Sequence, residues 1–250
     1  MLFQTTAFQN DIYDWARNHR VHHKFMDTNA DPHSSKRGFF FSHIGWLLVR
    51  KHPDVKTKGK TLDISDLEQD AIVMWQHKYY WRIMPFLTFI IPTLIPYLCW
   101  NESLRTSFFL TVVRYIASVN FMWLVNSAAH IWGMRPYDKT ISPTENLPVT
   151  IVTLGEAFHN YHHAFPWDYK AAELGDYVLN LSTAFIDMFA KIGWAYDLKT
   201  ATKEIITKRA RRLGDGSRCA RDDEVWGWDD EEMSTEDKSL VKIINRKWKC

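Results

Sequence analysis

The sequence predicts an all-α integral membrane protein, a transmembrane hairpin joined to a cytosolic helical cap that holds a histidine-rich two-metal site. Three observations predict it. One uncharged run is long enough to cross a bilayer, a second apolar run follows it after a short turn, and one histidine pentad occurs twice.

Composition sets the frame. A chain of 250 residues, 46% hydrophobic and 15% aromatic, is too apolar to be disordered. Lysine plus arginine (31) nearly balances aspartate plus glutamate (29), so overall charge gives no argument for nucleic-acid binding. Cys99, Cys219 and Cys250 form no C-x-x-C pair, which speaks against a disulfide framework or a thiolate metal site and fits a reducing, cytosol-facing setting. The first residues lack the basic start and apolar run of a secretory signal.

Along the chain, Asp54 to Asp70 mixes charges around Gly59 and reads as a loop, with a helix starting at Asp63 or Ser65. From Ile83 to Trp100 no residue is charged, and we read a transmembrane helix over about 83–101; a buried core helix is the alternative. Pro85, Pro92 and Pro96 are tolerable there if neighbours satisfy the carbonyls they free. After Asn101-Glu102-Ser103 a second span covers about 107–131, interrupted by Arg114, which must snorkel or pair. A mean hydropathy of −0.31 leaves the rest polar, so residues 1–82 and 135–250 lie outside the bilayer on one side. Arg50-Lys51 and Arg135 to Lys139 place that side in the cytosol. Tyr177 to Tyr196 repeats Val178, Leu181, Phe185, Met188, Phe189 and Ile192 at helical spacing, a stripe for core or membrane-surface packing. Residues 217–250, acidic from Asp222 to Asp237 and basic from Lys242 to Lys249, read as a solvated, poorly ordered tail.

The pentads are His19-Arg20-Val21-His22-His23 and His159-Asn160-Tyr161-His162-His163. On a helix, positions i, i+3 and i+4 share a face, so each pentad can aim three imidazoles at one point. Six neutral imidazoles exceed what a four-coordinate zinc needs, which points to two ions. His130, at the end of the second span, is a seventh candidate. Trp123 and Asn126 share its face at i, i+3 and i+7, although plain helix packing would use the same positions. His33, His43, His52 and His77 have no such spacing and are read as surface or cap residues. Glu156-Ala157-Phe158-His159 spells Glu-x-x-His once only, too little for a carboxylate-bridged site, and HExxH, G-x-S-x-G and phosphate-binding glycine loops are absent. Imidazole suits iron, zinc, copper and nickel alike, so spacing alone does not choose the metal.

Longer motifs surround these residues. Ala7-Phe8-Gln9-Asn10-Asp11, Trp15-Ala16-Arg17, both pentads, Asp31-Pro32-His33, Gly38-Phe39-Phe40-Phe41-Ser42-His43, Asn126-Ser127-Ala128-Ala129-His130 and Arg135-Pro136-Tyr137-Asp138 together resemble the acyl-CoA desaturases, especially the stearoyl-CoA, Delta-9 type. The resemblance runs from about Phe3 to Gly216, making 1–216 one fatty acid desaturase domain. Val225-Trp226-Gly227-Trp228-Asp229 resembles the insect members. It implies four transmembrane helices under a cytosolic cap with a di-iron centre. His19, His23 and His163 would serve one iron, and His22, His130, His159 and His162 the other, with Asn126 reaching the second through water. Asn10, Arg17 and Asn18 would hold the polar part of a fatty acyl-CoA, Arg50 and Lys51 would face its phosphates, and Trp123 would line the acyl tunnel. A juxtamembrane patch on anionic lipid is the other use of Arg50-Lys51. Asn18 departs from the family's usual aspartate.

The family also carries an earlier H-x-x-x-x-H box, and no histidine pair here has that spacing. The expectation is an N-terminally incomplete chain lacking two ligands of the iron bound by His19, His23 and His163. An unactivated methylene has no acidic proton, so its desaturation needs a redox metal and O2. The resemblance adds cytochrome b5 and its NADH-dependent reductase as electron donors, fatty acid biosynthesis as the setting, and a multi-pass place in the endoplasmic reticulum membrane. A histidine-box fatty acyl hydroxylase, or an inactive truncated desaturase acting as a membrane interaction protein, are the rival readings.

Overall fold

The computed structural model describes residues 1–173 and 177–218, and the tail beyond them lies outside the described residues. The described residues are helical: α1 (Leu2–Thr6), α2 (Ile12–Phe25), α3 (Trp46–Leu48), α4 (Pro53–Gly59), α5 (Ser65–Gln69), α6 (Ala71–Pro85), α7 (Ile91–Cys99), α8 (Leu104–Asn126), α9 (Ala128–Ile131), α10 (Leu147–Val152), α11 (His159–Ala164), α12 (Leu181–Lys191) and α13 (Lys203–Leu213). Extended pairing among them is confined to the isolated bridges Met134–Glu145 and Glu145–Phe158.

Two long apolar rods form the hairpin. α6, a π turn at Phe86–Ile90 and α7 run on as one helix from Ala71 to Cys99, and α8 with α9 returns from Leu104 to Ile131. Only 17% of the most apolar window of each rod is buried. A soluble core helix would hide that surface, whereas here Phe86, Leu98, Phe108 and Phe109 are exposed as lipid-facing side chains must be. The first rod starts well ahead of the uncharged run because Asp70 caps it, accepting from the amides of Ile72 (2.8 Å) and Val73 (3.1 Å).

The prolines and Arg114 answer each other. Pro92 has no N–H to give the carbonyl of Thr88 four residues earlier, and the Arg114 guanidinium donates to that carbonyl at 2.9 Å. The one charged side chain inside the second run thus satisfies a backbone group of the first.

Gln76, fully buried, ties the cap to the hairpin. Its Oε1 accepts from the Ile12 amide at the start of α2 (3.0 Å), and its Nε2 donates to Thr5 Oγ1 (2.8 Å) and Gln4 Oε1 (2.6 Å). α5 begins at Ser65 as expected, but a further helix, α4, occupies part of the stretch read as loop. Pro53 supplies the fixed φ of a first helical position, His52 Nδ1 accepts from the Asp54 amide (3.2 Å), and Val55 and Gly59 bury against α2. The stripe read over 177–196 shrinks to α12, started by Asn180, whose side chain accepts from the Thr183 amide, and ended before Gly193 at φ +77°. Leu181, Phe185, Met188 and Ile192 stay exposed, so it is surface and not core.

The Arg114 contact makes a coupled prediction. Arg114→Met should lower stability by about 1–3 kcal/mol by orphaning the Thr88 carbonyl. A Pro92→Ala background, which restores an N–H, should remove much of that cost; a double-mutant cycle of thermal unfolding in detergent measures the coupling.

Candidate metal centre

Three elements bring the seven histidines together. α2 starts at Asp11, whose carboxylate accepts from the Asp14 amide (2.9 Å), and carries His19, His22 and His23 on one side. α11 is a short helix without a side-chain cap from Phe158. Glu145, distant in sequence, accepts from the Tyr161 amide in its first turn (2.8 Å). Burial pushes the Glu145 carboxyl up to about 8, against the pull of the α11 amides it faces. α8 breaks at Ser127, whose Oγ donates back to the Trp123 carbonyl (2.9 Å), and the turn into α9 presents His130.

The imidazoles form two groups, each with its ring nitrogens within 4.8 Å of one another: His22, His130, His159 and His163 in one, His19, His23 and His162 in the other. In the second, Nε2 of His162 lies 3.2 Å from that of His19 and 3.0 Å from that of His23, which are themselves 3.1 Å apart. In the first, Nε2 of His159 lies 2.9 Å from that of His130 and 3.2 Å from that of His163. Each pentad therefore gives its i, i+4 pair to one group and its i+3 histidine to the other.

This corrects the division that the resemblance implied, which put His163 with His19 and His23 and put His162 in the larger group. The residues at i and i+4 point the same way along a helix, while i+3 is rotated to the other side of that direction, so His159 and His163 stay together and His162 crosses over.

Burial, and then the crowding of neighbouring imidazoles, holds His19, His159 and His163 well below the usual histidine range, His23 at about 2 and His162 at about 4. All five are neutral at physiological pH, each with a lone pair to give. Three nitrogens mutually 3.0–3.2 Å apart cannot all be satisfied by hydrogen bonds among themselves, because a neutral imidazole carries one proton. His22 Nε2 is buried with no hydrogen-bond partner, while its Nδ1 faces Asp31 Oδ1 at 2.9 Å. Converging donors of this kind fit metal ions, since nitrogens about 2.1 Å from a shared ion stand about 3.0 Å apart at right angles and about 3.4 Å apart at tetrahedral angles.

His33, read as a surface or cap residue, is instead buried with its ring 4.3 Å from that of His22. His43 is no surface residue either, contacting Ser127 Oγ (3.0 Å) and Asn120 Oδ1 (3.2 Å). His77 faces Asp11 (3.1 Å), and His52 is the cap already described. Asp31 and His33 carry no diagnostic spacing to the pentads, so only the three-dimensional contact identifies them.

A cavity of about 340 Å³ opens beside both groups. His19, His22, His159 and His162 line it on one side, with Asn126, Trp123 and Met122 of α8, Tyr80 and Trp81 of α6, and Phe8, Asn10 and Asn18 of the cap. Tyr80, Trp81 and Tyr115 are lining residues that the sequence did not single out, and Glu156 of the lone Glu-x-x-His motif joins them. Next to it a second depression, also reached by Asn18, is lined by Arg17, Lys51, Lys56 and Lys60. Lys51 Nζ donates to Asn18 Oδ1 (3.3 Å), and Arg17 pairs with Asp14 (2.7 Å). Arg50 is exposed and lines neither.

Comparison with known proteins adds the following. The family model described as fatty acid desaturase matches residues 1–175. An acyl-CoA Delta-9 desaturase of Acheta domesticus is 60% identical over 248 residues, covering 99% of this chain and 68% of that protein. An acyl-CoA Delta12-desaturase of the same species is 55% identical over the same shares, and a stearoyl-CoA desaturase of Homo sapiens is 55% identical over 87% of this chain and 60% of its own length.

The partition is testable by metal content. His19→Ala/His162→Ala lies within one group and should leave about one ion, whereas His159→Ala/His162→Ala takes one histidine from each and should leave almost none. Elemental analysis of detergent-purified protein reads both.

Proposed function

This chain belongs to the fatty acid desaturase family, and from that premise we propose that it is an acyl-CoA desaturase, an oxidoreductase that introduces a cis double bond into a fatty acyl-CoA with O2. The observation that carries the reading is the pair of converging histidine groups beside one largely apolar cavity. We assign His22, His130, His159 and His163 to one iron, His19, His23 and His162 to the other, and Asn126 to a water between its amide and the first. Iron, when bound, supplies the oxygen activation that an unactivated methylene demands.

The chain's own residues do the positioning. Phe8, Tyr80, Trp81, Tyr115 and Trp123 exclude water and hold an acyl chain against the histidines. Asn10 lines the cavity, Asn18 stands where it meets the basic depression, and Arg17 and Lys51, together with the exposed Arg50, offer charge to the coenzyme phosphates. One hydrogen leaves each of two neighbouring carbons, and two electrons and two protons complete the reduction of O2 to two waters. Cytochrome b5 and its NADH-dependent reductase are the proposed electron donors. We take residues 1–216 as the catalytic domain of a protein in the endoplasmic reticulum membrane, as the family resemblance implies, and place it on the cytosolic face on the strength of the lysines and arginines flanking the hairpin. The Delta-9 position follows the 60% identical Acheta relative.

The test is product analysis with saturated acyl-CoA, O2, NADH, cytochrome b5 and its reductase. A monounsaturated acyl-CoA is the expected product, and its bond position decides between Delta-9 and the Delta-11 and Delta-12 specificities named for other relatives. A hydroxylated product would replace the reading with the hydroxylase, and an iron-free chain giving no product would leave a membrane interaction protein. Lys51→Glu should raise KM for acyl-CoA about tenfold with kcat little changed.

A further inference from the structure

Among the described residues, Asp31 is the one carboxylate within ion-pairing distance of any of the seven grouped histidines. It lies on the segment after α2, outside both histidine pentads. Its Oδ1 accepts from His22 Nδ1 at 2.9 Å and from the His33 amide at 3.1 Å, and its Oδ2 accepts from the Asp27 amide at 3.0 Å. The carboxylate is thus locked by two backbone donors before it meets the imidazole, and both side chains are almost wholly buried. His33 closes the other side, its ring 4.3 Å from that of His22.

We infer that Asp31 is the positioning residue of the four-histidine group: it fixes His22 as the Nδ1–H tautomer, aims the Nε2 lone pair into the group, and makes His22 its most electron-rich donor. The inference rests on the reading of the histidine groups as metal sites. An acceptor at Nδ1 leaves the proton only that place, so Nε2, buried and without a hydrogen-bond partner, carries the lone pair. A carboxylate behind an imidazole raises its basicity, and loss of such a partner costs about 10–100-fold in metal affinity. His130 has only the weaker Ser142 hydroxyl at Nδ1 (3.1 Å), and His159 Nδ1 is buried without a partner. No comparable carboxylate stands behind His19, His23 or His162 among the described residues, so the two ions are chemically unequal.

The experiment is a chelator titration of the anaerobic, iron(II)-loaded chain in detergent, comparing the parent protein with Asp31→Asn, Asp31→Glu and His159→Ala. His159→Ala marks the release step belonging to the four-histidine group. In Asp31→Asn that step should move about 10–100-fold towards lower chelator while the other stays in place, with Asp31→Glu recovering part of the shift. Release of both ions in parallel would make Asp31 a general structural residue and overturn the inference, as would parental release from Asp31→Asn. A parent chain that takes up no iron would instead overturn the metal reading itself, and this inference with it.

Discussion

Seven imidazoles share a small volume at the junction of α2, α9 and α11, their ring nitrogens converging in two groups. That constraint organises the rest of the molecule. Burial and mutual crowding depress His19, His23, His159, His162 and His163, and converging lone pairs then need an electrophile. To hold them there the chain must fix three separate backbones relative to one another. Asp11 starts α2, Gln76 ties it to the hairpin, Ser127 breaks α8 so that His130 faces inward, and Glu145 caps α11 from a distance. None of these residues touches the centre of either group, yet each sets the direction of at least one imidazole.

The hairpin obeys a different constraint with a similar solution. In hydrocarbon every backbone group needs a partner, and a span with three prolines forfeits some of its own. Arg114 would be costly on an isolated helix; against the Thr88 carbonyl it repairs the neighbour. The π turn beginning next to Pro85 shifts the side chains beyond it, while Tyr80 and Trp81 before it and Tyr115 opposite form part of the cavity wall. The irregularities of the rods and the shape of the cavity belong to one arrangement.

Much of this was legible along the chain. The pentads announce shared helical faces, and the uncharged run announces a span, because both are local periodicities. The all-helical class, the hairpin and the seven histidines follow from them. Helical spacing keeps the i and i+4 histidines of a pentad together, but which histidine of the other pentad each pair meets was not legible, since that depends on the angle at which α2 and α11 meet. α4 was missed because its charged residues mask the buried Val55 and Gly59 that pack on α2. Asp31 and His33 were missed as partners of His22 because a nine-residue separation around a turn has no fixed direction in space.

The exchange of His22 and His162 between the groups bears on how the protein is made. Neither group can be completed from one pentad, and residues 19–23 and 159–163 are separated by the whole hairpin. A nascent chain that has emerged only as far as the first pentad offers three histidines that diverge between two unfinished sites. Under the proposed metal assignment, capture by either complete group waits until both rods are synthesised and the second pentad has docked, and an ion held there would record that the long-range topology has closed.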